Sequence, residues 1–206
     1  MRMAKKGGVI IFIVALLHTA DICKVFPSEV TDELKRTISK VIEIVSNKDL
    51  KQPDKKEERR KLLREAMKER FDFEEMSKRS LARHWRKRTQ EEKKEFVEIF
   101  SKLLENSYVD KIESYKDEKV VYTNESVEGN YAIVRTNITG KEYEDIPIDY
   151  KLIKSGNKWM VYDFTVEGVS MINNYRSQFN KIIRGSSYEE LVKKMRIKTE
   201  DISLEE

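Results

Sequence analysis

A double change in apolar period constrains this chain more than any other feature. From Val30 to Ile112, apolar side chains return every three or four residues. From about Lys119 they return every two, and after Glu167 the longer spacing comes back. A three-to-four spacing lays a stripe along one side of a helix, and a spacing of two fills one face of a strand. The order helices, strands, helices reads as an α+β fold. We expect a curved four-stranded antiparallel sheet wrapped by N-terminal and C-terminal helices.

Local signals place the elements. Val30, Leu34, Ile38, Val41 and Val45 predict a helix of about four turns. After Pro53, a charged helix turns Leu62, Leu63, Ala66 and Met67 inward. Asp72 with Glu75 opens a helix carrying Phe73, Met76, Leu81 and Trp85. Thr89 with Glu92 is a capping box for the longest helix, with Phe96, Phe100, Leu103, Tyr108 and Ile112 on one side. Four alternating runs follow: Val120–Ser126, Tyr131–Thr139, Tyr143–Lys154 and Lys158–Glu167. Short Gly- and Asn-containing turns join them, which makes an antiparallel meander. Ile146, Ile148, Tyr150 and Leu152 share a face opposite Asp149 and Lys151. In the fourth run, Met160, Tyr162, Phe164 and Val166 alternate against Trp159, Val161, Asp163 and Thr165. Val169, Ile172, Tyr175, Phe179 and Ile183 form the next helical stripe, ending near Gly185. Ser186 with Glu189 is expected to cap a last helix bearing Tyr188, Leu191 and Met195, with a loose tail after Thr199. The chain reads as one domain over residues 21–206, with a helical part at 28–115, the sheet at 118–167 and C-terminal helices at 168–196.

The first twenty residues have the layout of a secretory signal peptide. Arg2, Lys5 and Lys6 precede an apolar run from Val9 to Leu17, followed by His18, Thr19 and Ala20. Nine apolar residues rise about 14 Å as a helix, roughly half a bilayer core, which strains a membrane span. Cleavage near Ala20 and export to the periplasm are the expectation, with an uncleaved anchor as the alternative. The approach Ala20-Asp21-Ile22 does not suit acylation of Cys23. Without the leader, 38 basic residues stand against 37 acidic ones, so no nucleic-acid partner is demanded. The one Cys cannot make an internal disulfide, so the core alone must hold the fold.

Catalytic signatures are scarce. Beyond the leader the chain holds one His, His84, and one Cys, which removes most zinc sites and conventional nucleophile–base pairs. Seven glycines form neither a dinucleotide nor a phosphate-binding loop. Glu74-Glu75, Glu91-Glu92 and Glu189-Glu190 sit in first helical turns, where they complement the helix dipole. Asp149 and Asp163 alternate with apolar neighbours and are expected on the exposed sheet face. The reading is a protein that is not an enzyme and uses no cofactor or metal. What remains is abundant apolar surface, which fits either an ordinary core or the lining of a cavity for an apolar ligand. Periodicity does not separate the two.

Two segments carry a family resemblance. Phe71, Asp72, Phe73 and Met76, followed by Leu81 and Trp85, resemble the F-D-F-x-x-M…L-x-x-x-W motif of the MlaC family. Val161-Tyr-Asp, then Val166-Glu-Gly-Val-Ser170, then Asn174-Tyr-Arg-x-Gln-Phe179 resemble its V-Y-D-x-x-V-E-G-V-S…N-Y-R-x-Q-F signature. The resemblance spans roughly residues 28–196, and it departs at Gln90, where the family commonly has Pro. It implies a nuclear-transport-factor-like sheet and an apolar pocket for phospholipid acyl chains. It also implies a carrier working between an outer-membrane lipoprotein complex and an inner-membrane ABC transporter with MCE-domain subunits.

On that reading Phe73, Met76, Leu81, Trp85, Phe96, Phe100, Leu103 and Tyr108 are expected to line pocket or core from the helical part. Ile148, Tyr150, Leu152, Val166, Val169, Ile172, Tyr175 and Phe179 are expected to do so from the sheet and the helix after it. Arg176 is the candidate headgroup contact, since a guanidinium suits phosphate; a surface salt bridge is the alternative. Two rival functions stand beside the carrier. One is a periplasmic adaptor with a filled core. The other is an enzyme acting on a small apolar substrate through Asp163, Asp149 or His84.

Overall fold

The computed structural model describes residues 28–115, 117–140 and 145–204. The leader at 1–20, Cys23 and the start of the third run at Tyr143 lie outside the described residues. Six α-helices are α1 (Glu29–Ser46), α2 (Lys56–Lys68), α3 (Phe73–Leu81), α4 (Gln90–Glu113), α5 (Met171–Gly185) and α6 (Tyr188–Leu204). Five strands are β1 (Lys119–Glu128), β2 (Tyr131–Thr139), β3 (Ile146–Ser155), β4 (Lys158–Val166) and β5 (Val169–Ser170), ordered 1-2-3-4-5 in one antiparallel sheet.

Capping sets several helix starts. The Asp72 side chain accepts from Glu75 N at 2.9 Å. At α4 the box closes both ways: Thr89 Oγ1 accepts from Glu92 N, and the Glu92 carboxylate accepts from Thr89 N. The last helix departs from expectation. Ser187, not Ser186, caps it by accepting from Glu190 N at 3.1 Å, and it stays helical to Leu204 instead of ending near Thr199. Trp85 also leaves the predicted helix. Ala82 adopts a positive φ of 48°, α3 ends, and a 3-10 helix spans Ala82–Lys87.

Sheet register decides which side chains face the helices. β1 carries a bulge at Thr123, and β4 carries one at Tyr162, because Lys151 pairs with Asp163 while Leu152 pairs with Val161. A bulge adds one residue and reverses the alternation beyond it. The predicted division of the fourth run therefore fails midway. Val161 lies on the same face as Phe164 and Val166, and Met160 on the same face as Asp163. The inner face consequently holds Tyr122, Ala132, Val134, Thr136, Ile148, Tyr150, Leu152, Val161, Phe164 and Val166.

The fifth strand is the other departure. Glu167 and Gly168 take φ of 48° and 82°, a reversal that Gly eases, and β5 folds back along β4. Val169 therefore sits on an edge strand, 53% exposed, and not in the apolar stripe of α5.

The main core lies between the inner sheet face and the helices. Leu34, Met76, Leu81, Phe96, Phe100, Val134, Leu152, Val161 and Leu191 are buried there. A smaller cluster of Ile44, Val45, Leu63 and Ala66 joins α1 to α2. Polar ties fix α1 to the sheet. Glu33 and Arg70 form a buried ion pair; Arg70 also donates to Trp159 O at 2.5 Å, and Glu33 accepts from Trp159 N at 3.2 Å. At the start of α1, Glu125 of β1 accepts from Thr31 N at 3.0 Å and from the Ser28 hydroxyl.

Candidate functional site

The candidate acid–base groups differ in how far protein partners engage them. Asp163 is buried, 5% exposed, against the expectation of an exposed position. The chain reversal into β5 brings Ser170 Oγ to its carboxylate at 2.7 Å and Ile172 N at 3.1 Å, and Lys151 Nζ lies at 3.1 Å. Three donors satisfy one carboxylate, which thereby holds the start of α5 on the sheet. Asp149 is half-buried beside Arg135 at 3.7 Å. His84 is half-buried with its Nε2 3.1 Å from Asn180 Oδ1. Among the described residues no group of three or more His, Cys, Asp or Glu could hold a metal ion.

The apolar candidates divide into two sets. Phe96, Phe100, Tyr175 and Phe179 pack ring to ring, with centroids 5.2 to 5.8 Å apart and several edge-to-face contacts. Met76, Leu81, Leu103, Leu152 and Ile172 are buried with them. These side chains fill their own space and form the core where α3, α4 and α5 meet the sheet. Phe73 and Trp85 are half-buried against the same cluster.

The second set lies on the inner sheet face around the buried Val134 and Thr136. Tyr122, Thr136, Ile148 and Val166 lie in one cross-strand row, and Val134, Tyr150 and Phe164 lie in the next. Tyr108 of α4 meets the Phe164 ring edge-on at 5.5 Å, and its hydroxyl reaches Met171. Tyr108, Tyr122, Ile148, Tyr150, Phe164 and Val166 all keep some contact with solvent. Burial nevertheless pushes the Tyr150 hydroxyl up to about 12 and Tyr108 up to about 12. It raises Tyr122 as well, helped by the neighbouring Tyr150 phenol. These half-buried side chains pack against the main core, and the Tyr122 and Tyr150 phenols lie close together.

Tyr122 and Phe164 were not among the residues singled out from sequence. Both stand in alternating runs, and the bulges at Thr123 and Tyr162 obscure which face each shares. Arg176 projects from α5 as an exposed side chain. Two surface depressions elsewhere are lined mainly by charged side chains. One lies along α1 at Asp32, Lys35, Arg36 and Glu43; the other lies among Arg64, Glu98, Lys102, Glu105 and Arg196. Among the described residues no helix is long and apolar enough to cross a membrane.

Comparison with known proteins adds a family. The chain is 26% identical over 120 residues to the intermembrane phospholipid transport system binding protein MlaC of Haemophilus influenzae. That alignment covers 56% of this chain and 56% of the relative, so it spans about half the length of the curated relative. A phospholipid-binding protein from Ralstonia solanacearum, solved in complex with a phospholipid, superposes with a TM-score of 0.75 at 22% identity. The match covers 85% of this chain and 99% of that one, and shows a shared fold. The family model described as MlaC protein matches residues 35–197, most of the chain, and this protein belongs to that family.

Proposed function

We propose that this protein is a periplasmic phospholipid carrier that shuttles lipid between an outer-membrane lipoprotein complex and an inner-membrane MCE-domain ABC transporter. The observation that carries the reading is membership of the MlaC family, beside a half-buried, largely aromatic inner sheet face that would wall a lipid recess. Support comes from the Haemophilus relative, whose name places it in intermembrane phospholipid transport, and from the fold shared with a protein holding phospholipid. Acyl chains enter between Tyr108 on one side and Tyr122, Ile148, Tyr150, Phe164 and Val166 on the other. Of the sixteen residues proposed from sequence to line pocket or core, Phe96, Phe100, Tyr175 and Phe179 serve as the wall behind that space, and exposed Val169 has no lining role. Residues 1–20 direct export and are removed.

The energetics suit a carrier. Burying acyl chains is worth about 0.8 kcal/mol per methylene relative to water. A lipid leaving a bilayer already has its tails in hydrocarbon, so that term largely cancels. The recess must match the membrane interior and needs few polar contacts. Asp163, the most buried of the three candidate acid–base groups, serves to hold the start of α5 on the sheet. The filled aromatic core favours a second reading, a periplasmic adaptor without ligand.

Vesicle-to-vesicle transfer of labelled phospholipid tests the carrier. We expect the protein to load lipid, with slow release to acceptor vesicles that speeds up when either membrane complex is supplied. Equal release with and without the complexes would refute docking-driven delivery, and no loading at all would favour the adaptor.

A further inference from the structure

Among the described residues, six cations without a carboxylate partner stand together where the 3-10 helix Ala82–Lys87 meets the second half of α5. Arg83 Nη2 and His84 Nε2 both contact Asn180 Oδ1, at 3.0 and 3.1 Å, which joins the two segments into one surface. A 3-10 helix repeats every three residues, so Arg83 and Arg86 stand one above the other. On α5, Arg176 and Arg184 lie one turn to either side of Asn180, and Lys181 neighbours Arg184. Lys87, Arg86, Arg176, Lys181 and Arg184 are all exposed, as is Arg83.

Among the described residues none of these six cations has a carboxylate within 4.0 Å, whereas their sequence neighbours are paired. Lys78 and Arg79 are both taken by Glu75, and Arg88 is taken by Glu92. The nearby Glu189 carboxyl is held below its usual range chiefly by a hydrogen bond from Ser187. Trp85, half-buried in the middle of the basic run, has Lys93 Nζ 5.7 Å from its ring centroid. Cations around an amphipathic indole match the phosphate layer of an anionic bilayer, where charge meets hydrocarbon.

We propose that this patch is a membrane-contact surface that docks the protein on anionic phospholipid headgroups. It goes beyond lipid carriage, because it acts on the bilayer surface and not on the carried lipid. Each Lys or Arg near such a surface strengthens partition roughly fivefold, and the attraction decays within a Debye length of about 10 Å at 0.1 M salt.

Co-sedimentation with vesicles tests the proposal, using protein purified from cells. The test variant is R86Q/K87Q/K181Q/R184Q, which leaves the Arg83–Asn180 contact in place. The control, K51Q/K61Q/K193Q/K198Q, removes the same net charge from exposed sites elsewhere. Vesicles of phosphatidylcholine containing phosphatidylglycerol should bind the native protein and the control, with binding lost as ionic strength rises. The patch variant should bind at least roughly a hundredfold more weakly while keeping its melting temperature. Equal loss in both variants would reduce the effect to net charge and overturn the proposal. No preference of the native protein for anionic over neutral vesicles would also overturn it, and would point the patch at an acidic protein. Lipid extracted from the same preparations separates this from carriage: unchanged loading in the patch variant is expected.

Discussion

Removing one partner of the Glu33–Arg70 pair should cost at least as much as removing both. Arg70 is buried and gives Nη1 to Glu33 and to Trp159 O, while Glu33 also accepts from Trp159 N. Arg70→Met leaves an uncompensated carboxylate beneath α1, and Glu33→Leu leaves an uncompensated guanidinium. Losing one member of a buried pair costs about 3–5 kcal/mol. The double variant removes both charges and keeps apolar volume. Its remaining penalty is the Trp159 N–H and C=O left without partners, about 1–3 kcal/mol for each group left unsatisfied. The double-mutant cycle should therefore return a coupling of at least about 2 kcal/mol, with the double variant no less stable than the weaker single. Urea unfolding followed by far-UV circular dichroism, with midpoint and slope compared across the four proteins, measures this. Single variants that each cost under about 1 kcal/mol and add without coupling would mean that water reaches the pair and that it is not a buried ion pair.

Further outcomes follow from the same structure. Phe100→Ala, at a fully buried ring in contact with Phe96, Tyr175 and Phe179, should lower stability by about 3–5 kcal/mol in urea, with an unchanged slope. Asp163→Ala leaves Lys151, Ser170 Oγ and the Ile172 N–H without their acceptor. It should cost about 2–3 kcal/mol and raise hydrogen exchange in the first turn of α5. Alkaline stability should fall between pH 10 and 12. Burial holds Tyr108, Tyr150 and Tyr188 up to about 12, so the folded state keeps protons that the unfolded chain releases near its ordinary value of about 10. Their contribution is complete below the unfolded value and is lost as pH rises towards the folded one. Urea midpoints paired with phenolate absorbance across that range check it, and midpoints constant to pH 12 would contradict it.

The helical half was legible because its signals are local. The cap at Asp72 and the reciprocal box at Thr89 and Glu92 close as their spacing requires, and β2 has the bounds its alternation implies. The misses share one cause, which is backbone geometry that side-chain periodicity does not encode. A bulge at Tyr162 reverses β4 midway, and the reversal at Glu167 and Gly168 creates β5. Together they bury Asp163, which alternation had assigned to solvent, and they expose Val169, which helical spacing had assigned to the core. The proposed lining was only half-legible for the same reason. Ile148, Tyr150 and Val166 stood out in their runs, while Tyr122 and Phe164 become neighbours of Tyr150 only through register. Glu167 and Gly168 lie within the family signature, and the positive φ at Gly168 explains physically why a glycine stands there.

Native mass spectrometry of protein isolated from cells without detergent tests lipid carriage most directly. Lipid carriage predicts a population heavier by one phospholipid that organic solvent removes. Tyr150→Asp, which puts a carboxyl in the proposed recess, should be less stable and, under conditions where it stays folded by far-UV signal, should carry no lipid. A clean mass for the native protein after gentle isolation would contradict the claim, as would undiminished lipid in the Tyr150→Asp protein.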